Sequence, residues 1–181
     1  MATKQRQQVE RHERVFYDQV YEQEADLELP KWQKTDPWAL ATQELLGSVN
    51  GLRLLDLGCG TGKWAVYLAT QGARVTGVDI SPQAIRKANQ RAAHYNVQHR
   101  FQGVIASANE MPFSDNAFDL IYGAYILHHL HVKLAGSEIH RIRKPNAIAV
   151  FEETSSNNKM EIGIENAPTP APKTPPPVAV G

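Results

Sequence analysis

Apolar positions along this chain change period twice. Up to about residue 50 they recur at helical spacing: Val9, Phe16 and Val20 fall near one face, with Tyr17 and Tyr21 beside it. Pro30 interrupts the pattern. It restarts in TDPWALATQELLG, where Asp36 is placed to cap a helix and Pro37 occupies its first position, where a missing N–H costs nothing. Gly47 is the expected stop. From 51 to 153, short apolar runs alternate with helical patterns, which predicts β-α units and a parallel sheet with α/β architecture. Strands are predicted near 52–57, 74–79, 99–105, 118–123 and 147–152, and helices near 62–71, 82–95 and 131–143. Ser81 caps the second of these helices, Pro82 opens it and Asn96 closes it. HRFQGVI alternates least well of the strands. After Thr154 the composition changes: APTPAPKTPPPVAVG carries six prolines in fifteen residues. That run predicts an extended, disordered tail, passive rather than a ligand for a proline-binding module. The expected division is therefore a helical cap (1–50), a core domain (51–153) and a Pro-rich tail (154–181).

Composition narrows the partners. A chain of 181 residues holds one domain with a sizeable core. Lys plus Arg and Asp plus Glu both number 19, so no basic excess exists to grip phosphates, and nucleic acid is not an expected partner. One cysteine, Cys59, excludes an internal disulfide and fits a reducing compartment. The opening MATKQRQQVERHERVFY lacks a signal-peptide core, and no run approaches the roughly 20 apolar residues that span a bilayer. The expectation is a soluble, cytoplasmic protein with no membrane partner.

The chemistry concentrates in LRLLDLGCGTGKWAVYLA, Leu52 to Ala69. An apolar strand with Asp56 near its end runs into Gly58, Gly60 and Gly62. Those glycines allow a sharp turn and close approach of a ligand to the backbone. The helix that follows aims its N-terminal N–H groups at the same place. Two phosphate-binding readings fail on spacing. The dinucleotide fingerprint needs glycine where Lys63 stands. The P-loop needs four residues between its glycine and Gly-Lys-Ser/Thr, whereas Gly58 precedes Gly62-Lys63 by three and Trp64 replaces the Ser/Thr. The next predicted strand ends in Asp79, about 20 positions on, where a carboxylate can accept from both hydroxyls of a ribose. As a lone Asp it would read equally well as a helix cap.

LLDLGCGTG resembles the first motif of class I S-adenosylmethionine-dependent methyltransferases. ANEMPFSDNAFDLIYGAYILHHL and EIHRIRKPNAIAVFEE resemble later stretches of the same family, so the likeness covers about residues 50–153. The resemblance implies a Rossmann-like, doubly wound, mostly parallel sheet, S-adenosyl-L-methionine as cofactor, and methyl transfer to a small-molecule acceptor by in-line displacement. It implies cofactor contacts from Asp56, Gly58, Cys59, Gly60 and Gly62 toward the amino-acid end. Asp79 would take the ribose, Ile80 the adenine face, Ser107 and Ala108 the adenine edge, and Gly123 would lie at the fourth-strand end beside the sulfonium. Asp56 would serve the positive groups directly or through water, and the loop N–H groups the carboxylate. Tyr17 and Trp32 are candidate lid residues over the acceptor. His128 is a candidate general base. His128, His129 and His131 lack the ligand grouping of a metal site, so no metal is expected. Cys59 reads as a small packing residue within the loop.

Three departures qualify the resemblance. Ser107 stands where the family usually has Asp, and a carboxylate acceptor is worth up to about 1 kcal/mol more than a neutral one. KPNA replaces Lys-Pro-Gly-Gly, which suits Asn146 better than Ala147 in a left-handed turn. The recognisable domain stops near Glu153, about five strands in, without the family's last antiparallel hairpin. That predicts a shortened chain with AIAVF as an open edge and a route to self-association. The competing functional readings are a catalytically impaired cofactor-binding or interaction module and, held back by Lys63, a nicotinamide-dependent oxidoreductase.

Overall fold

The computed structural model describes residues 2–154 and 160–165. The chain opens with helix α1 (Ala2–Glu22), a single 3-10 turn (Lys31–Lys34) and helix α2 (Pro37–Leu46). Alternating units follow: β1 (Arg53–Leu57), α3 (Lys63–Thr70), β2 (Arg74–Asp79), α4 (Pro82–His94) and β3 (Phe101–Ile105). Then come β4 (Phe118–Ala124), a 3-10 turn (Leu127–His129), α5 (Val132–Ile142), β5 (Arg143–Thr154) and β6 (Met160–Glu165). The strand order is β3-β2-β1-β4-β5-β6. The first five strands pair in parallel and β6 pairs antiparallel to β5. This is the doubly wound, Rossmann-like sheet expected. Its order reverses between β1 and β4, which places a crevice at the C-terminal ends of those strands.

Local signals act where the sequence puts them. Asp36 Oδ1 accepts from Trp38 N at 2.9 Å and Ala39 N at 3.1 Å, so the cap of α2 is made by one carboxylate oxygen. Ser81 Oγ accepts from Ala84 N at 3.0 Å at the start of α4. Asn96 ends that helix with φ +57. In KPNA only Asn146 turns left-handed, at φ +63. Ala147 is spared, because the register jumps from Phe118↔Arg143 to Leu120↔Ile148 and Arg143 Nη1 donates to Ala147 O at 2.7 Å across the loop.

The alternation of β1 and β4 splits the core between the two sheet faces. Leu54, Leu120 and Tyr122 meet Trp64, Val66 and Leu68 of α3 on one side. Leu55, Leu57 and Ile121 meet Ala135, Ile139 and Ile142 of α5 on the other. Trp64 is the hub of the first face: its ring lies 5.3 Å from Tyr122, 5.8 Å from Tyr67 and 5.4 Å from Trp32, all edge-on.

Two expectations are corrected at the sheet's end. The edge of β5 is not open, because β6 pairs along it from Ala149↔Glu165 to Thr154↔Met160. An antiparallel strand therefore stands where the last hairpin was expected to be missing, and self-association through AIAVF loses its basis. The backbone N–H and C=O groups of β5 find partners within the chain itself, which is what an exposed apolar edge demands. Strand β6 also lies inside 154–181, expected to be tail throughout. The Pro-rich run 167–181 lies outside the described residues. Among the described residues no helix is long and apolar enough to cross a membrane.

Removing the hub ring and removing one cap should differ in scale. Trp64→Ala is expected to cost about 3–5 kcal/mol of unfolding free energy, and Asp36→Ala about 1 kcal/mol. Urea denaturation measures both, and equal losses would contradict the placement of Trp64 at the centre of the cap–core contact.

Candidate cofactor cleft

A cleft of about 350 Å³ opens at the C-terminal ends of β1, β2 and β4. Its core-domain wall includes Gly58, Asp79, Ile80, Ser107, Ala108 and His128. Its roof is the inner face of α1, which contributes Glu10, Glu13, Tyr17 and Tyr21.

The glycine loop is held from behind. Gly58 N and Cys59 N both donate to Val78 O, at 2.8 and 2.9 Å. Gly60 N donates to Asp79 Oδ2 and Ser81 N to Asp79 Oδ1, both at 2.9 Å. The N–H groups of Gly58, Cys59 and Gly60 are thus engaged by β2. Asp79 lines the cleft, with its carboxylate accepting from the backbone N–H groups of Gly60, Ile80 and Ser81. Burial pushes its pKa up, against three backbone N–H groups that pull it down.

Several other residues expected at the cofactor have partners within the fold. Asp56 does not reach the cleft wall. It is fully buried and accepts from Ala65 N–H, one of the unpaired donors at the start of α3, and burial with Asp79 nearby pushes it up to about 8. Cys59 packs under β2, where a Cβ on Gly77 would meet its Sγ at 2.8 Å, and burial raises its thiol well above the ordinary range. That is the inert packing cysteine expected. Gly62, at φ +78, lies against Ala88, which leaves 2.8 Å for a Cβ. Gly60 sits below the Tyr21 hydroxyl. Gly58 and Gly123 both make room for Ile126, whose side chain would stand 2.6 and 2.9 Å from a Cβ at those positions. Gly123 is covered by Ile126 and Phe151 and is not part of the wall.

On the β4 side His128 Nδ1 bonds Glu153 Oε2 at 2.9 Å, and Glu153 Oε1 accepts from Leu127 N at 2.6 Å. A carboxylate only accepts, so the hydrogen in this bond sits on His128 Nδ1, and in the neutral tautomer that this bond selects, Nε2 is the acceptor. Next to it, His129 bonds Tyr17 OH at 2.8 Å through Nε2 and Glu13 at 3.3 Å through Nδ1. Tyr125, also in the wall, adopts φ +54, a conformation that costs a non-glycine residue about 1–3 kcal/mol. Its N–H is tied to Glu152 O at 2.8 Å.

Of the two lid candidates, Tyr17 lines the cleft and Trp32 does not, because its ring is spent on Trp64. Glu10, Glu13, Asn109 and Tyr125 also line the cleft, without a sequence motif that marks them. The spacing Glu10, Glu13, Tyr17, Tyr21 is one continuous helical stripe, and it was the available signal.

A buried clamp fixes the roof to the loop. Arg91, fully buried on α4, donates to Glu24 Oε1 and Asp26 O at 2.8 Å, to Leu27 O at 3.2 Å and to Thr61 O. Asp18 of α1 accepts from Ser81 Oγ at 2.5 Å and Gln83 N at 3.1 Å.

A profile of the methyltransferase domain matches residues 55–151, more than half of the chain. The chain belongs to the methyltransferase-domain family. Among curated relatives, 27-O-demethylrifamycin SV methyltransferase of Amycolatopsis mediterranei (strain S699) is 41% identical over 81 residues, 44% of this chain and 30% of that protein. Demethylmenaquinone methyltransferase of Lactiplantibacillus plantarum is 34% identical over 122 residues, 65% of this chain and 52% of that one. The chain thus spans between 30% and 52% of these relatives' lengths. The crystal structure of the SpnF cyclase matches with a TM-score of 0.61 and 31% identity, over 72% of this chain and 48% of that chain. A phosphoethanolamine N-methyltransferase of Haemonchus contortus, crystallised with phosphoethanolamine and S-adenosylhomocysteine, shares the fold with a TM-score of 0.67 at 18% identity, over 83% of this chain and 33% of its own.

The cofactor of this methyltransferase family is S-adenosylmethionine. The cleft suits such a molecule. Asp79 puts a carboxylate in the wall within reach of a diol, Ile80 and Ala106 give an apolar wall for a base, and the buried Asn109 Oδ1 has no partner among the described residues.

The buried acids set a pH dependence. Asp56 in the unfolded chain gives up its proton above about pH 4, while in the fold it keeps it to about pH 8. Unfolding therefore releases a proton in that window, and rising pH favours the unfolded state. Asp79 and Glu152, also raised by burial, act with the same sign. Urea unfolding should give a lower free energy at pH 7.5 than at pH 5.5, with a shallower decline in Asp56→Asn. An unchanged slope in the variant would remove Asp56 from the account.

Proposed function

We propose that this chain binds S-adenosylmethionine in the cleft between α1 and the β1–β2–β4 strand ends and transfers its methyl group to a hydroxyl-bearing small molecule. The observation that carries this reading is that His128, held by Glu153, lines the same cleft as Asp79. When bound, S-adenosylmethionine supplies a methyl group already activated by a sulfonium. The chain's own task is to bind, align and deprotonate. Asp79 accepts from the ribose hydroxyls while its other lone pairs hold the glycine loop rigid. Gly58, Ile80 and Ala108 line the remaining cofactor surface. Tyr17, Tyr125, Ile126 and Leu130 give the cleft an aromatic and apolar portion suited to an acceptor ring. Holding two reactants in line lowers a barrier by roughly 7–11 kcal/mol. His128 Nε2 takes the hydroxyl proton of the acceptor, and Glu153 balances the imidazolium that results.

The names of two relatives support an oxygen acceptor: 27-O-demethylrifamycin SV methyltransferase, and the O-methyltransferase rstn1 of Aspergillus nomiae. A sterol 4-C-methyltransferase of Caenorhabditis elegans marks the carbon-acceptor alternative. In that case no hydroxyl proton has to leave before transfer, and His128 would have little to do.

Calorimetry with S-adenosylhomocysteine, and radiolabelled methyl transfer over a panel of phenols, hydroquinones and sterols, test the reading together. Binding is expected in the wild type and unchanged in His128→Ala. Turnover of a hydroxyl acceptor should fall roughly 10²–10⁴-fold in that variant and less in Glu153→Gln. Binding without turnover across the panel would favour a cofactor-binding module. No binding at all would overturn both.

A further inference from the structure

The loop after β3 holds a carboxylate that does not belong to it. Ser107, two residues beyond the Asp79↔Ile105 pair, donates its hydroxyl to Glu10 Oε1 at 2.9 Å. Asn109 Nδ2 donates to the same oxygen at 2.8 Å. Ser107 Oγ is further engaged as acceptor of Asn109 N at 3.2 Å. Ser107, the residue the sequence offered as a hydrogen-bond acceptor here, is thus occupied on both counts. Glu10 comes from α1, some hundred residues earlier in the chain and outside the core domain.

What remains unpaired in this corner is a matched set of acceptors. Glu10 bonds through Oε1, which also lies 4.0 Å from Arg6 Nε, and makes no hydrogen bond through Oε2 among the described residues, while Asn109 Oδ1 is buried without a partner. Both side chains line the cleft. Leaving Asn109 Oδ1 buried without a partner is costly, and with the part-buried Glu10 carboxylate bonded to the same side chain the corner suits a ligand group with two N–H donors. The corner lies one strand beyond Asp79, across the apolar Ile80 and Ala106. A molecule whose diol sits on Asp79 and whose flat base covers Ile80 would bring an exocyclic amine to this place.

We infer that Glu10 of α1 supplies the carboxylate that reads the adenine amino group of the cofactor, with Asn109 Oδ1 receiving the second N–H. The assignment rests on the cofactor reading above and adds to it. It makes α1 part of the binding site: the helix carries the base-reading carboxylate at Glu10 and the hydroxyl that meets His129 at Tyr17. Cofactor exchange then requires α1 to lift, and cofactor binding holds it down.

The test compares two ligands that differ at the 6-position and at the N1 proton that goes with it. S-adenosylhomocysteine carries the 6-amino group; S-inosylhomocysteine carries a 6-oxo group, an acceptor, in its place. Calorimetry on the full chain should show that the wild type prefers the adenosyl ligand. Glu10→Ala should weaken the adenosyl ligand roughly tenfold or more and leave the inosyl ligand nearly unchanged. Glu10→Gln keeps one acceptor for Ser107 and Asn109 but turns an N–H₂ toward the base, so it should shift preference toward the inosyl ligand. Placing Asp on the β3 loop, in Glu10→Ala/Ser107→Asp, should restore the adenosyl preference. If both ligands weaken equally in Glu10→Ala and the Gln variant shows no shift, Glu10 only docks the helix and the inference falls, while the cofactor reading stands. Failure of either ligand to bind the wild type would instead overturn the cofactor reading from which the inference starts.

Discussion

The cleft exists because one buried carboxylate ties two strands together. Asp79 accepts from Gly60 N with one oxygen and Ser81 N with the other, so the loop after β1 and the start of α4 hang from the end of β2. Charged acceptors make such bonds stronger than neutral ones, and burial removes water as a competitor. Burial also raises the pKa of Asp79, and only the backbone donors offset that cost. The loop's left-handed backbone at Gly58, Gly60 and Gly62 would otherwise be free to relax. With Asp79 in place the loop is a rigid floor, and everything above it is positioned against that floor.

The roof obeys different physics. Helix α1 turns its apolar residues outward: Val9, Val15, Phe16 and Val20 are about half exposed. Its inner stripe is Glu10, Glu13, Tyr17 and Tyr21. A helix that docks through polar groups gains little from hydrophobic burial, since each hydrogen bond replaces one to water at a net of roughly 1 kcal/mol. Directional bonds hold it: Asp18 to Ser81 and Gln83, Tyr17 to His129, Glu10 to Ser107 and Asn109. Arg91 anchors only the segment just after it, through Glu24, Asp26 and Leu27. The roof is therefore hinged at a strong point and latched by weak ones, the combination a cleft needs if ligands are to enter beneath it.

The core was legible because period and punctuation agreed. LLDLGCGTG, the Ser81-Pro82 start and the Asp36 cap are local signals, and local physics places them. Asp79 was legible by its distance from the loop. Less was legible at the loop, because spacing along the chain does not say which side of a turn a group faces. Asp56 and the N–H groups of Gly58, Cys59 and Gly60 sit at the right positions in sequence and point into the protein, where Ala65, Val78 and Asp79 use them. Trp32 is spaced like a lid residue, yet Trp64 offers it an aromatic partner away from the cleft. The sixth strand was missed because its partner edge lies across 155–159 and its own residues, MEIGIE, alternate too briefly to read as a strand. The Glu10 contact spans 97 residues, and no motif encodes it.

Two neighbouring acids on β5 show how the fold divides labour between faces. Strand alternation sends Glu152 to one side of the sheet and Glu153 to the other. Glu152 is buried, bonded by Tyr122 OH at 2.9 Å and by Thr42 of α2, so it fastens the helical cap to the core. Glu153 stays near the surface of the opposite side and orients His128 and the backbone at Leu127. One strand end thereby sets both the seat of the cap and the tautomer of the candidate base. A shift of β5 by one residue would exchange the two roles, burying the acid that holds His128 and exposing the one that holds α2. The antiparallel β6 along the outer edge of β5 opposes that shift, because six residue pairs would have to slip together. The strand that the sequence left uncounted thus fixes the register on which His128 depends.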